Sequence, residues 1–309
     1  MAHARALPLP DLLAGDAGGK RNGVWPDALK RLSRNRPAMI ALFTLGAIFV
    51  LAALGNYVDV IQRYDPAALN YADGTKTGPS WDHFLGQDHL GRDTWARVLQ
   101  GTWISLRVGL GVAAIALVVG VLVGGAAALT GSAGDNILMR VTDALYAFPD
   151  LLFIILLRAV LDGRDVPGGD VAIIIFTIAF VSWMTVARLV RGQMLSLARS
   201  DYVLAARALG ASQTRIVFFH MLPNALGPVI VAVTFAIPVA IFAESALAFI
   251  GFGVAPPAAS LGTLIDEGHR QIIETKWMLI FPGSVLAVLM LCFTFLGDGL
   301  RDALDPRSR

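Results

Sequence analysis

The chain carries a single cysteine, Cys292, and it falls inside an apolar block. A disulfide framework and a cysteine-based metal site are both excluded. Charge is also scarce. Asp, Glu, Lys and Arg make up 16% of the 309 residues, where soluble domains carry roughly a quarter. The net charge of +2 is too small to point to nucleic acid. Nucleotide motifs are missing as well. A P-loop needs G-x-x-x-x-G-K-[ST]. The nearest stretch, Gly18 to Arg21, has Ala14 where the first glycine belongs and ends in Arg21. Gly109 to Ala114 spells G-x-G-x-x-A, but it opens an apolar run instead of following a strand, so it is no dinucleotide fingerprint. No histidine is followed by the glutamate of an H-E-x-x-H zinc site. A membrane-embedded enzyme is disfavoured for want of nucleophile and metal motifs.

Apolar sequence is what the chain has in excess: 56% of residues, gathered in blocks. A bilayer crossing needs about twenty mostly apolar residues. Six blocks qualify: 38–58, 104–129, 139–160, 171–191, 224–250 and 277–298. The expected fold class is therefore all-α, a polytopic membrane protein with six transmembrane helices. Residues 1–37 form an N-terminal tail of Pro, Gly and scattered charge, expected to be mostly flexible, with a short surface helix near Pro26–Arg34. The first block lacks a signal peptide's short basic region and cleavage site, so it reads as an uncleaved span. Residues 38–309 form the transmembrane domain. Pro149 and Pro238 should each bend or break their helix. Gly120 and Gly124 form G-x-x-x-G, which either lets a second helix approach closely or marks a glycine-rich span without a partner.

Basic residues collect on the cytoplasmic side of a bilayer. With the N-terminus inside, sixteen of the 25 Lys and Arg residues fall inside, among them Lys30, Arg34, Arg36, Arg140, Arg191, Arg207, Arg215 and Arg301. The outside segments are acid-rich, with Asp59, Asp65, Asp73, Asp82, Asp88 and Asp93 in one loop of about 59–103. Both termini are expected in the cytoplasm, and so is the loop of about 192–223.

That inner loop is long for a connector. Asp201 is expected to cap a helix. Tyr202, Ala205, Ala206 and Leu209 share one face at helical spacing, Arg207 adds a charge, and Gly210 suits a left-handed helix end. Ser212 then caps a second helix carrying Ile216, Phe219 and His220, and Pro223 begins the fifth span. An Ala-rich face buries little by itself. It either lies at the lipid surface or lets a partner approach the backbone closely.

The motif Ala205-Ala206, Gly210 and His220-Met221-Leu222-Pro223-Asn224 resembles the cytoplasmic loop of ATP-binding-cassette importer permeases, with Leu204 in place of that family's glutamate. The segment from His83 to Leu110, with Gly86, Asp88, Gly91, Arg92, Asp93, Arg97, Gly101, Ser105, Leu106, Val108 and Gly109, is similar to the segment before the second span in dipeptide and oligopeptide permeases. Trp183 to Leu197 and Leu296 to Arg307 follow the same branch. The resemblance covers about residue 80 to the end. It fits the dipeptide, oligopeptide and nickel branch, nearer its second permease subunit than its first.

This resemblance implies the type I importer permease fold in a bacterial cytoplasmic (inner) membrane. It implies a coupling helix at Asp201–Leu209 seated on an ATPase subunit, and no cofactor on this chain, since ATP and magnesium belong to the partners. Those partners are a homologous second permease making a heterodimer, two ATP-binding subunits, an extracytoplasmic substrate-binding protein and membrane lipid. Peptides, or nickel chelates, are the implied cargo.

Three sets of charges remain. Asp82-His83 and Asp88-His89 repeat a pair that either gathers a metal ion or caps helices in a hydrated loop; the spacing fits no recognised ligand pattern. Arg92 and Asp93 either hold that loop in shape or meet an external partner. Asp150 and Glu244 lie inside spans, where charge is costly. Either they line a polar path or they pair with neighbours to hold helices together. A secondary transporter or channel using this pair as an ion relay is the rival reading. Arg158 is expected to snorkel outward.

Overall fold

The computed structural model describes residues 24–71, 74–164 and 166–305. Most of the N-terminal tail, with the stretch from Gly18 to Arg21, lies outside them, as do Asp73, Asp165 and the last four residues. The described chain is helical, in twelve helices: α1 (Val24–Leu32), α2 (Arg36–Tyr57), α3 (Asp59–Gln62), α4 (Thr94–Leu129), α5 (Gly131–Tyr146), α6 (Asp150–Leu161), α7 (Gly169–Leu197), α8 (Asp201–Ala208), α9 (Gln213–Arg215), α10 (Leu222–Phe249), α11 (Leu261–Arg270) and α12 (Trp277–Leu304). A π-helical turn, Ile216–Met221, joins α9 to α10.

Among the described residues five helices are long and apolar enough to cross a membrane, and α5 with α6 would make a sixth if that bent pair is one crossing. The first span starts where Asn35 accepts a hydrogen bond from the Ala38 N–H at 3.2 Å, with Pro37 in the first turn, where its missing N–H costs nothing. The expected second span begins ten residues early. Asp93 caps α4 by accepting from the Ala96 N–H at 2.8 Å, and Ala96 to Leu99 are buried in protein. With 36 residues, α4 is roughly 54 Å long, well beyond the roughly 30 Å of a hydrocarbon core.

The third expected span, 139–160, is broken. Its two helices meet at 85°, with Pro149 at the start of α6, where a fixed φ and no N–H interrupt the hydrogen-bond ladder. Pro238, expected to bend or break its helix, sits inside α10 without ending it.

Helix α4 is the central post. Its glycines are contact points: a Cβ on Gly120 would lie 2.6 Å from Val186 Cβ, and one on Gly124 would lie 2.4 Å from the Ala187 carbonyl oxygen. The G-x-x-x-G pattern therefore has a specific partner, α7. Ile104, Val108 and Val112 of α4 share one core with Ile174 and Ile178 of α7 and Ala240 and Leu247 of α10.

Two ends can be told apart. At one, Ala28 and Leu32 of α1 pack on Ala38 and Ala303, and Arg191 near the end of α7 holds Asp135 near the start of α5. At the other, Arg158 of α6 holds Asp170 at the start of α7 at 2.9 Å, and Asp170 also accepts from the Ala255 N–H just past α10. The α5–α6 pair thus runs from one end to the other. Arg158 was expected to snorkel; it is instead buried between Asp162 and Asp170, because two carboxylates come to it.

Candidate functional sites: an exposed helix, a charge lock and a cavity

The first site is the short α8. Ser200 takes the cap position, but its hydroxyl donates to the Leu197 carbonyl instead of accepting from the helix. Asp201, expected to be the cap, is the first helical residue, where its charge faces the positive end of the helix dipole. Val203 is fully buried in a core with Met194, Ile216, Val217 and Met221. It anchors the helix, and sequence reasoning missed it because one valine among alanines gives no pattern. Tyr202, Leu204, Ala205, Arg207 and Leu209 are exposed, Leu209 at 88%. Ala206, expected on the same face, turns part-way toward the bundle.

The C-terminus of α8 is a Schellman turn. The Ala211 N–H donates to the Ala206 carbonyl at 3.1 Å and the Gly210 N–H donates to the Arg207 carbonyl at 3.0 Å. Gly210 has φ +80° and open space around it, so backbone conformation alone calls for glycine. Ser212 caps the next helix by accepting from Arg215 N–H. That second helix is not separate from the fifth span, as expected, but runs through the π turn into α10. Pro223 lies in the first turn of α10, and the Asn224 amide donates to the His220 carbonyl at 2.6 Å across this junction.

The second site lies at the opposite end. Asp88 and Glu267 face Arg92 and Arg97. Asp88 Oδ2 accepts from Arg92 Nε at 2.6 Å and from Arg97 Nη1 at 2.7 Å. Glu267 accepts from Arg97 Nη1 and Nη2 at 2.5 and 3.0 Å and from Arg92 Nη2 at 3.1 Å. Two cations and two anions balance, and Arg97 is 2% exposed. Gly86 and Gly91 both have positive φ, and a Cβ on Gly91 would lie 2.1 Å from the Asn70 carbonyl oxygen. Asp93 caps α4 and also holds His83 Nδ1 at 2.8 Å. The loop motif therefore holds the loop in shape and ties it to α11. Sequence reasoning saw Asp88, Arg92 and Arg97 but not Glu267, which is 170 residues from Arg97. Ligand atoms of Asp88, His89 and Glu267 lie within 4.8 Å of one another, yet both carboxylates already neutralise guanidinium groups.

The third site is a cavity of about 440 Å³ among α5, α6, α7 and α10, lined by apolar side chains and by Tyr146, Asp150, Ser182 and Thr185. A neighbouring cavity of about 420 Å³ reaches Arg301 and Asp305 and shares Ala232 and Phe235 with the first. Asp150 is exposed. Glu244 is not on this wall. It is fully buried between α10 and α4, where one oxygen accepts from Ser105 Oγ at 3.2 Å, and Ser105 Oγ in turn accepts from the Leu261 N–H at 3.1 Å. The two carboxylates the sequence placed together lie in separate environments.

A family model described as the binding-protein-dependent transport system inner membrane component matches residues 116–309. The chain belongs to this permease family. A second model, the N-terminal transmembrane domain of oligopeptide transport permease C, matches residues 23–79 of the permease. The oligopeptide transport system permease protein OppC of Bacillus subtilis is 40% identical over 299 residues, which is 96% of this chain and 95% of that one. The dipeptide transport system permease protein DppC of the same organism is 40% identical over 286 residues, 92% of this chain and 86% of that one. OppC of Escherichia coli K12 is 38% identical over 288 residues, 93% and 92% of the two chains.

Among solved structures, an inward-facing form of the MetNI methionine ABC transporter has a TM-score of 0.54 at 19% identity, covering 67% of this chain and 96% of that one. At that identity the likeness shows the fold alone. The permease is a multi-pass protein of the bacterial inner membrane.

Proposed function

We propose that this permease is one of two membrane-spanning subunits of an ATP-driven importer for small peptides. Its relatives are named as oligopeptide and dipeptide permeases, which supports peptide cargo. In this reading the α5–α6 pair is the third of six crossings, and both described ends of the chain are cytoplasmic. A homologous second permease completes a heterodimer. Two ATPase subunits bind ATP and magnesium, and a binding protein delivers cargo to the opposite face.

One observation carries the reading: α8 presents an exposed face of small and apolar side chains, is closed rigidly by the Gly210 turn, and stands beside the foot of a continuous helix from Gln213 to Phe249. A short rigid helix transmits displacement better than a flexible connector. ATP binding draws the ATPases together, α8 moves with its ATPase, and α10 shifts behind it. The cargo path then opens to the outside. Hydrolysis reverses the movement.

The ion-relay alternative needs Asp150 and Glu244 on one path. Glu244 sits against α4 and Asp150 on the cavity, which favours the importer. The test is Gly210→Val in the assembled transporter. A β-branched residue at positive φ costs about 1–3 kcal/mol locally. Peptide uptake should fall at least tenfold while ATP hydrolysis persists. Wild-type uptake by that variant would falsify the coupling role of α8.

A further inference from the structure

The cavity between α5, α6, α7 and α10 has a simple chemistry. Its volume of about 440 Å³ lies within the roughly 300–1,000 Å³ of small-molecule sites. The lining is mainly Ala, Val, Ile, Leu and Phe. Against this apolar bed stands one charged side chain, Asp150, with the hydroxyls of Tyr146, Ser182 and Thr185 as the other polar groups. Asp150 has no hydrogen-bond or ion-pair partner among the described residues. The nearby cation Arg188 is already engaged: its guanidinium lies over the Tyr146 ring at 3.9 Å and faces Asp143 at 3.3 Å. It does not line the cavity.

We infer that Asp150 is the cargo-binding residue for the N-terminal ammonium group of the transported peptide, with the apolar wall receiving side chains of any kind. This rests on the peptide-import reading above and adds to it a named contact. The physical case is one of matching chemistry. Peptides differ in their side chains but share a cationic amine at one end. A site that must accept many sequences can read only the shared part with charge, and must meet the variable part with surfaces that make no directional demand. One unpaired carboxylate on an apolar wall has that composition.

The carboxylate is also kept available. Asp150 opens α6 immediately after the Pro149 break, so the 85° bend carries its side chain off the run of α5. The first turn of a helix suits a carboxylate side chain. No cation lines this cavity, so the peptide's carboxylate end is not read here. Arg301 lies in the adjoining cavity, beyond Ala232 and Phe235.

The experiment uses the complete transporter with its binding protein in proteoliposomes. Uptake of an alanyl dipeptide with a free amine is compared with that of the same dipeptide N-acetylated and of the same dipeptide C-amidated. A charge-assisted hydrogen bond is worth a factor of about ten or more. Asp150→Asn should therefore lower uptake of the free-amine and C-amidated peptides about tenfold and leave the residual uptake of the N-acetylated peptide unchanged. Asp150→Glu should restore most of the loss. Equal uptake by Asp150→Asn and wild type overturns the assignment. So does an equal loss for all three peptides, because a helix-start role would not distinguish an amine from an amide. A wild-type transporter that imports none of the three peptides overturns the peptide reading itself, and this inference with it.

Discussion

At the residue scale, the charge lock shows how a few side chains hold distant chain segments together. Arg97 is fully enclosed and its guanidinium meets both Asp88 and Glu267. Removing one member leaves a buried charge without its counterpart, at a cost of about 3–5 kcal/mol. Glu267→Gln should lower the melting temperature of the detergent-purified transporter more than Asp266→Asn, which removes a charge paired with the exposed Arg270. A thermal scan of the two variants checks this. The lock was half legible in sequence. Gly86, Asp88, Gly91, Arg92 and Asp93 stand close together and can be read as a group. Glu267 comes from a ten-residue helix whose reciprocal cap uses Thr263 in place of the usual acidic or amide residue. Nothing local to Glu267 announces its partners.

At the element scale, glycine spacing sets how closely helices approach. Gly124 meets the backbone of α7, whereas Gly125 has nothing within 4 Å of an added Cβ. Gly124→Leu should therefore sharply reduce the amount of folded permease in the membrane, while Gly125→Leu should leave it near wild type. Quantitative blotting of membrane fractions compares them. Span positions were legible because about twenty apolar residues leave few other readings. What failed was length and continuity. Helix α4 runs ten residues beyond its apolar block because its first turns bury Arg97 in protein instead of exposing it to lipid. The fifth span continues back through the π turn because Ile216, Val217 and Met221 are core residues. The hydropathy pattern records what faces lipid, and these segments face protein. On α8, the turn at Gly210 was legible from a glycine after a helical run, and the anchor Val203 was not. Val203→Asp should detach α8 from the bundle and reduce ATP-driven uptake more than Leu204→Asp, which changes an exposed position.

At the scale of the whole molecule, the sidedness proposed from basic and acidic segments can be measured directly. Cys292 is buried, so an introduced cysteine can be labelled against little background. Ser212→Cys should react with a membrane-impermeant maleimide only from the cytoplasmic side, and Asp82→Cys only from the outside. The reverse pattern would invert the proposed topology. The path from Gln213 to Phe249 also has a mechanical meaning. Its 37 residues form a shaft of roughly 55 Å. A tilt of about 5° at its base swings its tip by about 5 Å, close to the pitch of one helical turn. In the proposed importer, a small stroke at the Gln213 end would be geared up toward the Phe249 end, so that a motor could work through a displacement far shorter than the opening it produces.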